Sequence, residues 1–403
     1  MTPLPADTLK TRSFGWFTLT QGLGAFNDNV FKQIMLLMAA AGTDTDKQGL
    51  VVIVFTLPFM FFSGYGGQLS EIFGKTTILR ATKLMELVIM AAATVGFLLG
   101  STPLLLIMLF LMGAQTALFQ PAKYGIIPEL VKERLLVPAN GIVQVCYLAA
   151  ITLGIAMGGA LKQQFSGSLY QAMLTCVVIA IIGYLTVLGI RTRAANLPGT
   201  RFDPHPFRRL GVSFKAIFQD GPLTMATLAF AYFYFSGTVV TNLVNNYGLR
   251  LLGLNDQRTS LMLAFLTLGI IAGSLLAGPL CLNFGRKRTI LTGAVGVVAV
   301  KSLMFFHMLP LSVLHGILLL AGVFSSLYFI PISAFLQARP PMGRKGEILA
   351  AVNFTNYTGI LLAALFWQGL MLAGLPAPYV WLLLAGGLVL LLTRLWPRLE
   401  ALD

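Results

Sequence analysis

Gly67-Gln68-Leu69-Ser70-Glu71-Ile72-Phe73-Gly74-Lys75 is a motif that this chain of 403 residues repeats about half its length later, as Gly278-Pro279-Leu280-Cys281-Leu282-Asn283-Phe284-Gly285-Arg286-Lys287-Arg288. Each copy places two glycines seven residues apart, with phenylalanine before the second glycine and a basic residue after it. Each copy follows one long apolar run and precedes another. A motif that recurs at half the chain length indicates two related halves.

Further landmarks repeat with nearly the same offset. Three pairs are separated by 211, 210 and 213 residues: Gly74 with Gly285, Pro121 with Pro331, and Asn140 with Asn353. Three landmarks with nearly one offset are hard to obtain by chance. Two related halves built from membrane helices are the organisation of a secondary transporter.

The composition excludes a soluble protein. Hydrophobic residues make up 57% of the chain and charged residues only 10%, whereas about 25% of an average soluble domain is charged. The mean hydropathy is +0.82. A chain with so few polar residues cannot cover a water-exposed core, so we predict an all-α membrane protein that is solvated by lipid.

Twelve apolar runs are long enough to cross a bilayer, which takes about 20 residues as a helix. They cover approximately residues 14–40, 48–70, 76–99, 103–127, 139–161, 169–190, 221–248, 257–280, 288–308, 311–337, 345–370 and 376–396. A polar stretch separates the first six runs from the last six. We therefore predict an N-terminal six-helix half (1–190), a cytoplasmic linker (191–220) and a C-terminal six-helix half (221–403).

The distribution of lysine and arginine predicts the orientation. If both termini are cytoplasmic, 22 of the 28 basic residues fall on the inside and 4 on the outside, as the positive-inside rule requires. This asymmetry explains the net charge of +14 without a nucleic-acid partner. The same charges are suited to anionic lipid headgroups.

The sequence predicts neither an enzyme nor a bound metal or cofactor. The three histidines, His205, His307 and His315, have no metal-ligand spacing. The three cysteines lie in apolar runs without a Cys-x-x-Cys pair, and such cysteines are usually small buried hydrophobic residues.

Polar residues inside the predicted spans are the candidates for substrate binding, because ionisable groups cost at least about 2.5–3.5 kcal/mol at the centre of a membrane helix. In span 1, Asp28 and Lys32 are four residues apart and can share a helix face, next to Asn27 and Asn29. They form either a salt bridge that neutralises both or part of a cavity wall. We expect the pair Lys83 and Glu86 at the cytoplasmic boundary to be structural.

Other spans add amide and lysine side chains. Asn242 and Asn245 in span 7 are either glue between helices or a polar face opposite the Asp28 group. Lys301 is expected to extend towards the interface. The candidate substrate-binding residues are Asn27, Asp28, Asn29, Lys32, Gln115, Lys123, Asn140, Gln144, Asn242, Asn245, Asn353 and Asn356.

The repeated glycine motif resembles the signature between helices 2 and 3 of the major facilitator superfamily. The first copy has Gly67, Glu71 in the acidic place, Gly74 and Lys75, whereas the second has Leu282 in the acidic place. The resemblance implies that these four residues of the first copy form a conformational gate, which stabilises one state without binding substrate.

Four segments resemble the bacterial lysophospholipid transporters of that superfamily: Gly24–Asn29, Pro121–Leu130, Leu136–Gly141 and Pro331–Gln337. The resemblance implies lysophospholipid transport from the outer to the inner leaflet of the bacterial inner membrane, by alternating access. It also implies an acyltransferase partner, separate or fused, that uses an acyl-carrier-protein donor. No histidine here is followed by aspartate in the His-x4-Asp spacing of such an enzyme. We expect a monomer.

Two alternatives stay open from the sequence. The first is a proton-coupled transporter of small drugs or metabolites, with Asp28 or Glu86 as the proton carrier, because a fold does not fix a function. The second is a non-transporting membrane scaffold, which buried Asp28 and Lys32 disfavour because a scaffold has no need of buried charge. One departure from the lysophospholipid transporters is the Thr and Asn stretch at Thr241, near which an arginine occurs in that family.

Overall fold

The computed structural model describes residues 8–41, 46–132, 135–192, 208–306, 309–339 and 345–395, and almost all of them are helical. The helices are α1 (Arg12–Ala41), α2 (Gln48–Ile72), α3 (Lys75–Leu98), α4 (Thr102–Leu130), α5 (Leu136–Gln164), α6 (Leu169–Leu188), α7 (Arg208–Gln219), α8 (Gly221–Asn246), α9 (Asp256–Phe284), α10 (Arg286–Leu303), α11 (Leu311–Ala338), α12 (Lys345–Leu372) and α13 (Ala377–Leu395). A π-helical turn, Tyr247–Leu251, continues α8.

The predicted all-α membrane architecture is confirmed. Within the described residues all helices except α7 have 18 or more residues, which agrees in number with the twelve predicted spans. Nine of these described helices are long and apolar enough to cross a membrane by length and composition. Of the other three, α1 carries the polar run around Asp28, α2 has an apolar described segment of Gln48–Phe62, and α10 starts with three basic residues.

The repeated motif has the same backbone geometry in both copies. Gly74 precedes α3 with φ 81° and ψ 144°, and Gly285 precedes α10 with φ 86° and ψ 156°. Side chains rarely adopt positive φ, so only glycine makes this turn without strain. The equivalent prolines Pro121 and Pro331 lie inside α4 and α11. The structure thus shows the repeat at the level of backbone conformation.

The chain divides into two compact units. The first unit contains residues 1–35 and 53–206, and the second contains residues 36–52 and 207–403. The second unit therefore includes the end of α1 and the start of α2, in addition to α7–α13.

In the first unit, glycines bring α5 against α1. A Cβ atom on Gly154 would lie 2.6 Å from the carbonyl oxygen of Phe26, and one on Gly158 would lie 3.0 Å from that of Val30. Helices approach this closely only where the contact residues are small. The side of α1 that carries Phe26, Asn29 and Val30 is thereby held directly against α5.

In the second unit, the closest helix contact joins α9 and α11. A Cβ atom on Gly269 would lie 1.9 Å from the carbonyl oxygen of Leu319, and one on Gly322 would lie 2.1 Å from that of Leu266. These atoms belong to the backbone and cannot move aside. The two helices therefore depend on glycine on both sides of the contact.

The part of the predicted linker that the structure describes is not irregular. Residues 208–219 form α7, which buries Ile217 and packs Phe214 edge-on against Phe354 of α12, with ring centroids 6.0 Å apart. Leu210, Phe214 and Ile217 follow the spacing of an amphipathic helix. The linker predicted for 191–220 therefore contains a helix, and its cytoplasmic position stays a prediction.

We predict that Gly269→Ala lowers the stability of the protein, whereas Gly278→Ala on the same helix does not. The added methyl group at 269 meets backbone at 1.9 Å, and at 278 it meets no atom within 4 Å. Overpacking of this kind costs about 1–3 kcal/mol, and alanine otherwise favours a helix over glycine by about 1 kcal/mol. The apparent melting temperature in detergent, followed by fluorescence size-exclusion chromatography, tests this. Equal melting temperatures for the two variants would contradict the packing assigned to Gly269.

Candidate functional site

A polar cavity lies inside the first unit, between α1, α3, α4 and α5. Its volume is about 20 Å³, and its charged lining residues are Asp28, Lys83, Glu86 and Lys123. Two carboxylates face two ammonium groups, so the formal charges balance. A charge-balanced pocket inside a membrane helix bundle is suited to a polar group that itself carries both signs.

The best-defined part of this cavity is an ion pair on α3. Lys83 Nζ lies 2.6 Å from Glu86 Oε2, and both side chains are only 1% exposed. Asn27 on α1 donates one hydrogen bond of 3.1 Å to Glu86 Oε1 and another of 3.1 Å to the carbonyl oxygen of Cys176 on α6. The pair expected from the sequence is present and is buried inside the unit, and its expected place at the cytoplasmic boundary stays a prediction.

Gly24 makes room for this ion pair. A Cβ atom at position 24 would lie 2.3 Å from Lys83 Nζ and 3.6 Å from Glu86 Oε2. The ammonium group therefore rests against the backbone of α1. This contact accounts for glycine in the Gly24–Asn29 segment.

Asp28 keeps an unused acceptor. Its Oδ2 lies 3.0 Å from Thr116 Oγ1, and its Oδ1 is buried without a hydrogen-bond partner among the described residues. Of the two alternatives left open for Asp28 and Lys32, a salt bridge is not among the contacts of the described residues. Lys32 Nζ lies 5.3 Å from the centre of the Phe55 ring. A buried carboxylate oxygen without a donor is the atom most ready to accept a hydrogen bond from a ligand.

The remaining candidates of α1 and α4 have distinct neighbours. Lys123 lines the cavity, with its Nζ 3.6 Å from the centre of the Tyr147 ring, as in a close cation–π contact. Gln115 also lines it and is 2% exposed. Asn29 instead donates to the carbonyl oxygen of Ala25 in its own helix.

Four other candidates do not line this cavity. Asn140 and Gln144 on α5 are exposed in the structure, as is Asn353 on α12. Asn356 is buried, and its Oδ1 has no hydrogen-bond partner among the described residues. Spacing alone could not separate these residues from the cavity-lining ones, because it does not show which face of each helix turns inward.

Asn242 and Asn245 belong to a separate polar cluster in the second unit. Gln48 Nε2 donates to the carbonyl oxygen of Asn242 at 2.8 Å, and Asn245 Nδ2 donates to Gln48 Oε1 at 2.9 Å. The side chain of Asn242 is fully buried and has no hydrogen-bond partner among the described residues.

Asp46 is the centre of that cluster and was missed from the sequence. It is 1% exposed and accepts hydrogen bonds from Asn246 Nδ2 at 2.7 Å, Gln48 Nε2 at 3.0 Å and Trp367 Nε1 at 3.3 Å. No signal in the sequence distinguished it from an ordinary loop aspartate. Thr116 and Tyr147 were missed in the first unit for the same reason, since single hydroxyl residues are common in membrane helices.

The predicted gate is described at two of its four positions. Lys75, directly after Gly74, pairs with Glu129 of α4 at 2.5 Å, with side chains 21% and 15% exposed. A Cβ atom on Gly125 would lie 2.7 Å from Lys75 Cε, so this glycine leaves space for the lysine stem. Positions 67 and 71 lie outside the part described at side-chain level, and their role stays a prediction.

Comparisons with known proteins identify relatives of the whole chain. The family model described as Major Facilitator Superfamily matches residues 17–364 and 247–400. The lysophospholipid transporter of Enterobacter sp. (strain 638) is 28% identical over 388 residues, with 94% of each chain covered. That of Citrobacter koseri is 27% identical over 390 residues, with 93% of each chain covered.

Solved structures show a similar fold. A crystal structure of a nucleoside transporter superposes with a TM-score of 0.72 at 13% identity, covering 95% of this chain and 99% of the other. A POT family transporter in complex with 5-aminolevulinic acid gives 0.75 at 11% identity, covering 100% and 99%. At such identities the likeness concerns the fold alone.

We predict that Lys83→Met destabilises the protein by about 3–5 kcal/mol, because it leaves Glu86 as a buried charge without its cation. The double variant Lys83→Met/Glu86→Leu should recover most of this loss. Arg339→Met is the matched control, since the Arg339–Asp220 pair is 42% and 30% exposed and an exposed pair contributes about 0–1 kcal/mol. Thermal stability in detergent measures all three. A double variant that is less stable than Lys83→Met would show that Lys83 and Glu86 stabilise the protein through contacts other than their mutual ion pair.

Proposed function

We propose that this chain, which belongs to the major facilitator superfamily, moves lysophospholipids from the outer to the inner leaflet of the bacterial inner membrane. The observation that carries the proposal is the similarity to named lysophospholipid transporters over 94% of both chains. Lysophosphatidylethanolamine and lysophosphatidylglycerol are the proposed substrates. Both termini are proposed to face the cytoplasm, on the distribution of basic residues.

The chemistry of the first unit's cavity supports a lipid headgroup. The phosphate of a lysophospholipid is an anion, and its ethanolamine or glycerol end is a donor. Asp28 Oδ1 is an acceptor without a partner among the described residues, so it is the proposed contact for the ammonium or hydroxyl end. Lys123 is the proposed contact for the phosphate. Lys83 and Glu86 already neutralise each other, and we assign them to positioning Asn27 and shaping the cavity wall.

The size of the cavity implies that binding requires movement. A cavity of about 20 Å³ holds roughly one or two water molecules by the measure in which one water needs about 10–15 Å³. A phosphate ester does not fit until the surrounding helices separate. This is what alternating access provides, as the two repeats of such transporters rock around a central site.

The products of transport suggest the proposed partner. A lysophospholipid delivered to the inner leaflet lacks one acyl chain, and an acyltransferase with an acyl-carrier-protein donor restores it. We propose that such an enzyme acts next in the sequence and that the transporter itself works as a monomer without a cofactor.

A proton-coupled transporter is the second candidate. Asp28 Oδ1, which has no hydrogen-bond partner among the described residues, favours it, because a buried carboxylate with a spare acceptor is also a proton-binding group. Uptake that collapses with a protonophore while lipid binding persists would favour this alternative. The flippase proposal expects uptake to continue.

We predict that Asp28→Ala abolishes lysophospholipid uptake while the protein stays in the membrane. The change removes the proposed headgroup contact but leaves the Lys83–Glu86 pair in place. The assay is uptake of radiolabelled lysophosphatidylethanolamine into spheroplasts without their own transporter, at matched expression. Asp256→Ala, at the start of α9, is the control and should transport normally.

Two outcomes would count against this function. Absence of uptake by the unaltered chain at good expression would remove lysophospholipid transport. Near-normal uptake by Asp28→Ala would leave the function but remove the proposed headgroup contact.

We predict that Lys75→Ala slows conversion between conformations without weakening lysolipid binding. Its ammonium group pairs with Glu129 and not with the cavity residues. Gly74→Leu should have the same effect, because its φ of 81° strains any side chain. Uptake rate and equilibrium binding are measured on the same variants. Loss of binding with an unchanged rate of conformational cross-linking would be incompatible with a gate.

A further inference from the structure

The second unit contains its own cavity, which the candidate site does not use. It has a volume of about 70 Å³ and is lined mainly by apolar side chains, among them Val240, Ile270 and Leu388. Lys301 of α10 lines it and is only 5% exposed. The expectation that this lysine extends to the membrane interface is wrong, because its side chain is enclosed.

Lys301 has no carboxylate partner in the described part of the chain. Its Nζ donates to Ser236 Oγ at 2.5 Å and lies 5.8 Å from the centre of the Tyr232 ring. The described acidic side chains of the second unit have other positions: Asp46 accepts hydrogen bonds from Asn246, Gln48 and Trp367, Asp220 pairs with Arg339, and Asp256 lies in the first turn of α9.

Lys83 in the first unit has the carboxylate partner that Lys301 lacks among the described residues. There the lysine on α3 has Glu86 one turn later, and the pair contacts Asn27 on α1. Three residues after Lys301 the sequence has Met304, at the C-cap of α10. A buried ammonium group with one neutral hydroxyl acceptor retains N–H groups that can bind an anion.

A second donor in the same cavity is also unused. Trp381 lines the cavity and is 1% exposed, and its Nε1 has no hydrogen-bond partner among the described residues. The hydroxyl groups of Tyr232 and Tyr328 instead donate to the backbone carbonyl oxygens of Leu384 and Ala229. Buried polar groups in proteins are normally satisfied. Spare donors without an ionised acceptor call for an anionic ligand.

We propose that this cavity is a second anion subsite, separate from the cavity at Lys123, that binds the phosphate of a lysophospholipid, with Lys301 as its charged contact and Trp381 as a further donor. The proposal rests on the proposed function. The volume of about 70 Å³ has room for roughly five water-sized groups, which is the size of a phosphate and too small for a whole acyl chain. The apolar lining strengthens the attraction, because charges interact more strongly where water is excluded.

The test is equilibrium binding to the purified chain in detergent, with two ligands that share one acyl chain. Radiolabelled lysophosphatidylglycerol carries the phosphate and monoacylglycerol lacks it. Lys301→Met should weaken binding of lysophosphatidylglycerol about tenfold, as expected for a charge-assisted hydrogen bond, and leave monoacylglycerol binding unchanged. Lys301→Arg should retain most of the affinity. Trp381→Phe, which keeps an aromatic ring, should weaken only the phosphate-bearing lipid, by about threefold.

Each other outcome overturns the proposal. Equal losses for both ligands would show that Lys301 acts through packing, and no loss for either variant would remove the subsite. Displacement of the lipid by glycerophosphate alone would reassign the cavity to soluble phosphate esters. Binding is measured without transport, so the two proposals fail separately. If the chain binds lysophosphatidylglycerol through Lys301 but spheroplasts that carry it take up no lipid, the transport proposal fails and the subsite stands. If the chain transports the lipid and Lys301→Met binds it with unchanged affinity, the subsite proposal fails and the transport proposal stands.

Discussion

The buried ion pair between Lys83 and Glu86 is the interaction on which the first unit depends. Charges in a low-dielectric interior persist only if they are paired and hydrogen-bonded. The pair meets this condition by using Asn27 on α1 and by resting its ammonium group on the backbone at Gly24. Asn27 also donates to the carbonyl oxygen of Cys176, so three helices, α1, α3 and α6, are joined around this neutral ion pair. Asp28 lines the same cavity, and its Oδ1 has no hydrogen-bond partner among the described residues. The ion pair is therefore a structural charge pair, whereas the charge of Asp28 is available to a ligand.

Close glycine contacts supply the second constraint. Two helix pairs, α1 with α5 and α9 with α11, approach each other at glycines. At these glycines a Cβ atom would meet backbone atoms of the neighbouring helix at 1.9–3.0 Å. Lipid gives no hydrophobic reason for helices to associate, so packing and hydrogen bonds have to hold them together. Smooth glycine surfaces also lack interlocking side chains. Helices that meet in this way can shift along each other with little rearrangement, which suits a transporter that changes conformation in every cycle.

The sequence predicted the fold much better than the site. Twelve long helices and a two-fold repeat could be predicted from the sequence, because they depend on properties of long segments. These properties are the lengths of the apolar runs, the repeated motif and the distribution of basic residues. The site depends on which face of each helix turns inward. The spacing of Lys83 and Lys123 in the sequence did not show that both line one buried cavity. Asn242 and Asn245 were interpreted either as glue between helices or as a polar face opposite Asp28, and the sequence did not indicate their contacts with Gln48. Such contacts depend on helix rotation and on partners distant in sequence, which composition and spacing do not encode.

The two copies of the glycine motif show that its parts are physically separable. Gly74 and Gly285 have nearly the same φ and ψ, although the second copy has Leu282, 89% exposed, in the acidic place. After a duplication, an exposed side chain can change at little cost in stability, whereas a turn with positive φ cannot change its residue without strain. The ancestry of a degenerate half is therefore recorded more durably in its backbone geometry than in its charges. A search for weak internal repeats should therefore give glycines at positive-φ turns more weight than polar residues.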